Sequence, residues 1–399
     1  MGAENMICQV ENSIPCDALQ GFRVVELTEY VAAPICGRML ADYGAEVIKI
    51  EKATGDIYRQ IGNNTAVGAN VDENPLFDIL NSGKKSVVLN LKEPEGMEQF
   101  HKLLETADIF LTNNRMVSLK KLGIDPESLA EKYPKLVYGL ITGYGIDGPE
   151  KDAPGFDSVA FWGRSGFLRS APYEDSGYPM PTVTAVGDTI TGTMLLTGLL
   201  SALLKRERTG RGDFVTASLL GSAIWVTNSM VIMTQPKYGE KYPISRNETN
   251  PYACGYKCAD GEWLQVGIVD YARYMPKLME VLGVPDMIKD PRFATKASAK
   301  EHWPEMLHVF EPLFLTKTSK EWKELIDAID VVCCILPRFS AISEDQQAWA
   351  NGNLESFEFR NHQKSVLPCP PVRFGSTGTM RSKGGPLLGE HTEEVLGGL

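Results

Sequence analysis

Short apolar runs alternate with amphipathic stretches along the first 140 residues. Arg23-Val24-Val25-Glu26-Leu27 reads as a strand, and apolar positions then recur at helical spacing through Met39, Leu40 and Tyr43. Gly44 closes that helix, and Glu46 to Glu51 alternates as a second strand. The interval is too short for anything but a crossover helix between parallel strands. The rhythm continues through strands at Ser86–Leu91, Asp108–Thr112 and Leu136–Thr142, with helices at Pro94–Thr106, near Leu119–Leu122 and at Pro126–Tyr133. Such alternation predicts an α/β fold with a doubly wound, mostly parallel, Rossmann-like sheet.

After a loop-rich stretch, the β-branched run Met180 to Val186 reaches a Gly187-Asp188 corner and enters a long apolar helix. Asp188 stands where an N-cap belongs, and the free N–H groups and dipole of the first turn favour its ionised form. A capping role alone accounts for such an Asp. The helix carries Gly192, Gly198, Ser201 and Ala202, so another element packs closely on it, and it ends in the basic turn Lys205 to Gly212. Phe214–Leu220 reads as extended and Ala223–Thr234 as a second apolar helix. The pattern changes near Pro236: hairpin-like residues 257–266 and helical stretches at Tyr271–Leu282, His302–Leu313 and Ser319–Ile329 follow. The organisation expected is a large domain over 1–225, a smaller α+β domain over 240–325, and a return to the large domain over 330–399.

Composition adds mainly exclusions. The 399 residues are 43% hydrophobic and 23% charged, with a formal net charge of -11, which argues against a nucleic-acid partner. The N-terminus lacks a signal-peptide pattern, and Met194 to Leu204 is too short and too interrupted to span a bilayer, so no membrane association is expected. Eight irregularly spaced cysteines, without C-x-x-C and apart from the five histidines, suit a reduced cytoplasmic protein with no metal site. Gly143-Tyr144-Gly145-Ile146-Asp147-Gly148 matches G-x-G-x-x-G, but Pro149 and charged residues follow it rather than a helix. It is therefore not a dinucleotide fingerprint.

Several segments in order resemble the class III CoA-transferases, the family of formyl-CoA and carnitine CoA-transferases. They are Gly21 to Leu27 with Ala33-Pro34, Asp42 to Glu51, Asn81 to Lys92, Gly143-Tyr144-Gly145, Gly148-Pro149, Gly187-Asp188, Leu199 to Gly212 and Leu388 to Leu396. Within the family, Pro154 to Asp157, Tyr242 to Thr249 and Asp345 to Asn351 are similar to the branch acting on 2-hydroxyacids such as 2-hydroxyisocaproate or phenyllactate. The resemblance implies that Asp188 is the nucleophile, forming aspartyl anhydride and aspartyl-CoA thioester intermediates. It implies coenzyme A thioester and a carboxylic acid as substrates, no permanently bound cofactor, and an interlocked homodimer. The positions matching the family's CoA contacts are Tyr30, Val31, Ala32, Lys52, Leu89, Leu91, Lys92, Asn113, Asn114, Ser118, Lys121 and Tyr144. Lys52, Lys92 and Lys121 read equally well as surface lysines, and Tyr30 as a core aromatic. Lys84 and Lys85 are expected to be solvated. The run of glycines that closes the formyl-CoA members is reduced here to Gly255, so the bulkier loop through Tyr252 is expected to shield the anhydride.

Two rivals remain. The 2-methylacyl-CoA racemases resemble the chain through Gly187-Asp188, but their proton-transfer His falls at Phe156, which takes no proton. A non-catalytic Rossmann nucleotide-binding protein needs a glycine fingerprint after the first strand, and Thr28 to Ala33 has no glycine.

Overall fold

The computed structural model describes residues 16–61, 67, 68, 70–376, 378, 379 and 382–399. They form two compact units: residues 16–167, 181–232 and 344–399 in the first, and 168–180 with 233–343 in the second.

The first unit is built on β1 (Arg23–Leu27), α1 (Ala32–Asp42), β2 (Glu46–Glu51), α2 (Pro75–Asn81), β3 (Lys85–Val88), α3 (Pro94–Glu105), β4 (Ile109–Thr112), α4 (Met116–Leu122), α5 (Pro126–Lys132) and β5 (Val137–Thr142). A π-helical turn over Asp157–Gly163 and the one-turn α6 (Phe167–Ser170) follow. The 24-residue α7 (Val186–Thr209), β6 (Phe214–Ser218), α8 (Leu219–Val226) and α9 (Asn228–Met233) complete this stretch. Six parallel strands make one sheet in the order β3-β2-β1-β4-β5-β6. The chain reverses direction across the sheet between β1 and β4, the switch point where open α/β sheets bind ligands past their strand ends. Val25, Ile48, Val87, Phe110 and Leu140 pack one face of the sheet with α3 and α5, while Val24, Val47, Ile109 and Leu111 pack the other with α1 and α7.

The second unit holds the antiparallel sheet β7 (Gly255–Lys257), β8 (Trp263–Gly267) and β9 (Val332–Ile335). Against it pack α10 (Tyr271–Val281), α11 (Lys296–Glu301), α12 (Trp303–Phe314) and α13 (Ser319–Asp327), around buried Tyr256, Phe310, Phe314 and Trp322. The last residues return to the first unit. There Gly385 donates to Asp78 Oδ1, Gly389 to Ser86 Oγ, and Thr392 Oγ1 accepts from Val88 N along the β3 edge.

Two expectations need correction. Lys84 is not solvated: its Nζ lies 2.8 Å from Glu26 and from Pro34 O, wholly buried. Lys85 is half-buried and pairs with Glu46 and Glu394. The β-branched run before Asp188 forms no strand: residues 181–185 run irregularly into α7. The long apolar helix expected after the Gly187-Asp188 corner, ending in the basic turn, is α7. α7 has the length and apolar composition of a membrane span, but Leu195, Leu196, Leu199 and Leu203 are buried in the core.

Contact between α1 and α7 depends on Gly192. A Cβ there would lie 2.3 Å from Ala32 O and 2.4 Å from the Ile35 side chain. Elsewhere in a helix, Gly→Ala stabilises by about 1 kcal/mol. Here backbone must move, so Gly192→Ala should destabilise the protein by about 1–3 kcal/mol in urea unfolding; a gain in stability would contradict this packing.

Candidate active site

The site begins with buried charges under the end of β1. Glu26 and Lys49 point into the same interior as Lys84, and all three are fully enclosed. Lys49 Nζ donates to Thr28 O at 2.8 Å and lies 3.0 Å from Asp56 Oδ2. Asp56 Oδ1 in turn accepts from the backbone N–H groups of Tyr30 and Tyr58. Two residues further along β2, Glu51 takes two bonds from Arg59 and one from Ser86 Oγ. These carboxylates remain buried because each has a cation or several donors. Burial pulls the Lys84 ammonium down to about 8 against the opposing pull of Glu26, while the surrounding carboxylates overcome burial and raise Lys49. The cluster holds the β1–α1 turn in shape. Within it Tyr30 adopts a left-handed φ of 66°, unusual for a residue with a side chain.

Past the strand ends lies a cleft of about 240 Å³, lined by residues that include Thr28, Glu29, Lys52, Leu89, Leu91 and Lys92. Asn114 and Asp56 also face it. Of the sequence-predicted contacts, Lys52, Leu89, Leu91, Lys92 and Asn114 are thus brought together. Lys52 is not free, since Glu29 holds its ammonium at 2.6 Å. Asn113 supports the cleft rather than lining it: its amide brackets Glu29 by accepting from its N–H and donating to its carbonyl. Ser118 and Lys121 sit exposed on α4, and Tyr144 is half-buried after β5. Val31 and Ala32 are buried at the start of α1, so only their backbone is available to a ligand. The glycines of the 143–148 run serve the turn. Gly143 meets Gly155 backbone to backbone, and Gly145 and Gly148 have positive φ.

Asp188 itself departs from the reading as an N-cap. α7 starts two residues earlier, with Ala185 as its N-cap at φ 64° and no capping side chain of its own. The capping carboxylate comes from the π-helical turn. Asp157 Oδ1 accepts Asp188 N–H at 3.1 Å, the N–H groups of Ala185 and Gly187 also point to Asp157, and its Oδ2 accepts from Trp162 Nε1. Gly187 permits this approach, because a Cβ would fall 2.2 Å from Phe161 and 2.3 Å from Asp157 Oδ1. The first-turn donors therefore serve Asp157, and no hydrogen bond lowers Asp188. Burial first, and then the Asp157 charge, push the Asp188 carboxyl up to about 7. That displacement corresponds to roughly 4 kcal/mol, beyond the ~0.3–1 kcal/mol with which a helix dipole ordinarily favours an anion. The expectation of a fully ionised Asp188 at neutral pH is thus overturned; it titrates there.

Two neighbours, Tyr58 and Asp157, were given no role by sequence reasoning. Tyr58 stands within electrostatic reach of Asp188, Asp56 and Asp157, and burial together with these charges keeps its phenol protonated. Asp157 entered only as part of the Pro154–Asp157 resemblance, and its capping role was hidden because its partner lies 31 residues away. Phe156 is 56% exposed beside Asp157, and its ring meets Tyr30 edge-on at 5.4 Å between centroids. Tyr252, by contrast, is 1% exposed in the core of the second unit, edge-on to Tyr271 and Trp303. Its ring is committed to packing and does not form a free shield.

A parallel six-stranded sheet with a carboxyl-end cleft and a half-buried aspartate at a helix start defines an α/β enzyme site, and comparison with known proteins gives it a family. The model of CoA-transferase family III matches residues 19–392, so the chain belongs to that family of CoA-transferases. It is 38% identical over 379 residues to the (R)-2-hydroxy-4-methylpentanoate CoA-transferase of Clostridioides difficile, spanning 95% of this chain and 94% of that one. It is 39% identical to the cinnamoyl-CoA:phenyllactate CoA-transferase of Clostridium sporogenes, over 94% and 92% of the two chains. In structure it is similar to a mutant of the Mycobacterium tuberculosis protein Rv3272, with a TM-score of 0.83 at 27% identity, covering 96% and 99%.

The raised Asp188 also has a stability consequence. Its folded state holds a proton that the unfolded chain releases near pH ~4, so its contribution is greatest in acid and is lost as pH rises toward 7. Asp188→Asn should therefore melt above the native protein at about pH 8, with the advantage shrinking by about pH 4. Equal melting temperatures at both would show that the carboxyl is not destabilised.

Proposed function

We propose that this chain moves CoA from an acyl-CoA to a free 2-hydroxyacid with a branched or aryl side chain, using Asp188 as the nucleophile. The observation that carries the reading is the environment of Asp188: a carboxylate at a helix start, half-withdrawn from water, with no donor to blunt it once ionised. Its oxygen attacks the donor thioester carbon, the C–S bond breaks, and CoA leaves as thiolate. The thiolate then attacks the aspartyl carbonyl of the resulting anhydride, releasing the donor acid and leaving an aspartyl-CoA thioester. The acceptor carboxylate displaces that thiolate, forming a second anhydride. The thiolate attacks its acyl carbonyl, yielding the new thioester and free Asp188. Each step exchanges carboxylate for thiolate, so no proton is transferred and no general acid is needed.

In this reading Lys52, Lys92 and Lys121 meet phosphates of CoA, Leu89 and Leu91 flank its apolar parts, and Tyr30, Val31, Ala32, Asn113, Asn114, Ser118 and Tyr144 complete its path past the strand ends. The substrate class is supported by the two clostridial relatives and by the exposed Phe156 ring beside Tyr30, an apolar surface close to the proposed nucleophile. The same Phe156 stands against a racemase, which needs a base there. A second copy of the chain is the proposed partner in an interlocked homodimer. Ile224, Trp225, Val226 and Ile232 on α8 and α9 present apolar surface suited to it, and a monomer in sedimentation equilibrium would remove this part. The free thiols of Cys16, Cys36, Cys254, Cys258, Cys333 and Cys334 suit a reducing cytoplasm.

The deciding experiment incubates the enzyme with an acyl-CoA, quenches with hydroxylamine or borohydride, and maps the product by mass spectrometry. Modification is expected at Asp188 and absent in Asp188→Asn; an unlabelled but active enzyme, or a label elsewhere, overturns the mechanism. A panel of acceptors should rank branched and aryl 2-hydroxyacids above dicarboxylates, and the reverse order would overturn the substrate class.

A further inference from the structure

We infer that Asp157 is a positioning residue that caps α7 from outside its own helix and thereby leaves Asp188 with no donor of its own and a like charge beside it. The inference rests on the reading of Asp188 as nucleophile and goes beyond it, because it assigns the control of that group to a residue 31 positions away.

The argument is geometric. Helix starts present unsatisfied N–H groups, and a carboxylate near them takes those bonds. Two carboxylates compete for the start of α7. Asp157 takes the available donors: Asp188 N–H at 3.1 Å on Oδ1, with the N–H groups of Gly187 and Ala185 directed at the same carboxylate. The indole of Trp162 fixes its other oxygen at 3.1 Å. The π-helical turn brings Trp162 and Asp157 onto one side, with Phe161 filling the space that a side chain at Gly187 would occupy. Ala185 contributes a left-handed backbone, which turns the chain so that Asp157, and not a residue of the helix itself, meets the free donors.

Asp188 is left with a like charge beside it and no donor of its own. Like charges at close range favour protonation of one member. The remaining titratable neighbours do not offset this. Tyr58, on the segment after β2, is neutral at working pH, and Asp56 beyond it is committed to Lys49 and two backbone N–H groups. The consequence for the proposed reaction is direct. A more basic carboxylate is the better nucleophile toward a thioester, and as the poorer leaving group from the first anhydride it directs CoA thiolate to the aspartyl carbonyl, where the donor acid is expelled; the same basicity slows the last step, in which Asp188 itself must leave.

The test uses two uncharged replacements that keep an acceptor, Asp157→Asn and Asp157→Ser. Turnover of the native enzyme should rise with pH through about 7, as Asp188 ionises. In both variants this acidic limb should move down by about one unit or more, while the Asp188 adduct with acyl-CoA still forms. A merely structural role would lower activity at every pH without moving the limb. An unmoved limb in a folded variant that still labels at Asp188 overturns the inference, whereas loss of the label in the native enzyme overturns the mechanism beneath it. Should neither variant fold, the native protein decides. With ¹³C-labelled aspartate, the carboxyl signal lost in Asp188→Asn should titrate near neutrality, and titration in the ordinary range near ~4 overturns the inference.

Discussion

Five buried charged side chains and the partly buried Arg59, below the ends of three neighbouring strands, hold the working end of this sheet together. Glu26, Lys49 and Lys84 face one another in the interior, Asp56 joins through Lys49, and Glu51 with Arg59 continues the chain of contacts to Ser86. None of these groups is stable there alone, because an unpaired buried charge costs several kcal/mol. The network therefore has a single acceptable arrangement, and it dictates the turn after β1, the segment after β2 and the entry to β3 together. Gly37 belongs to the same constraint, since a Cβ there would collide with Glu26 Oε2. The cleft keeps its shape because the floor beneath it cannot rearrange piecemeal.

The sheet was largely legible from its hydrophobic pattern. Residues 23–27 and 46–51 are strands to the residue, since apolar side chains on both faces of a parallel strand leave a nearly continuous run. Ser86–Leu91 proved a shorter strand, with Leu89 and Leu91 leaving the sheet for the cleft. What pattern reading missed was pairing over distance. A lysine in a Gly-Lys-Lys sequence reads as solvated, and only the fold shows that Lys84 has Glu26, 58 residues away, to meet.

The same limit governed the site. Asp188 was correctly marked as a residue at a helix start, but an N-cap is defined by backbone angles and by which carboxylate arrives first. Ala185 takes the left-handed turn, and Asp157 takes the donors. Tyr252 shows the opposite error: an aromatic in a glycine-poor loop suggested a cover, whereas its ring completes a core of tyrosines and tryptophan.

The last residues of the chain lie along β3, the outermost strand of the parallel sheet, where His391, Thr392 and Gly389 occupy its free hydrogen-bonding edge. These contacts join residues some three hundred positions apart. During synthesis, then, β3 stays bare until residues 389–392 have emerged some three hundred positions later, and an uncovered strand edge invites pairing with another chain. Residues 389–392 thus act as the stopper for an edge laid down within the first hundred residues, and the large unit cannot close that edge until they have emerged.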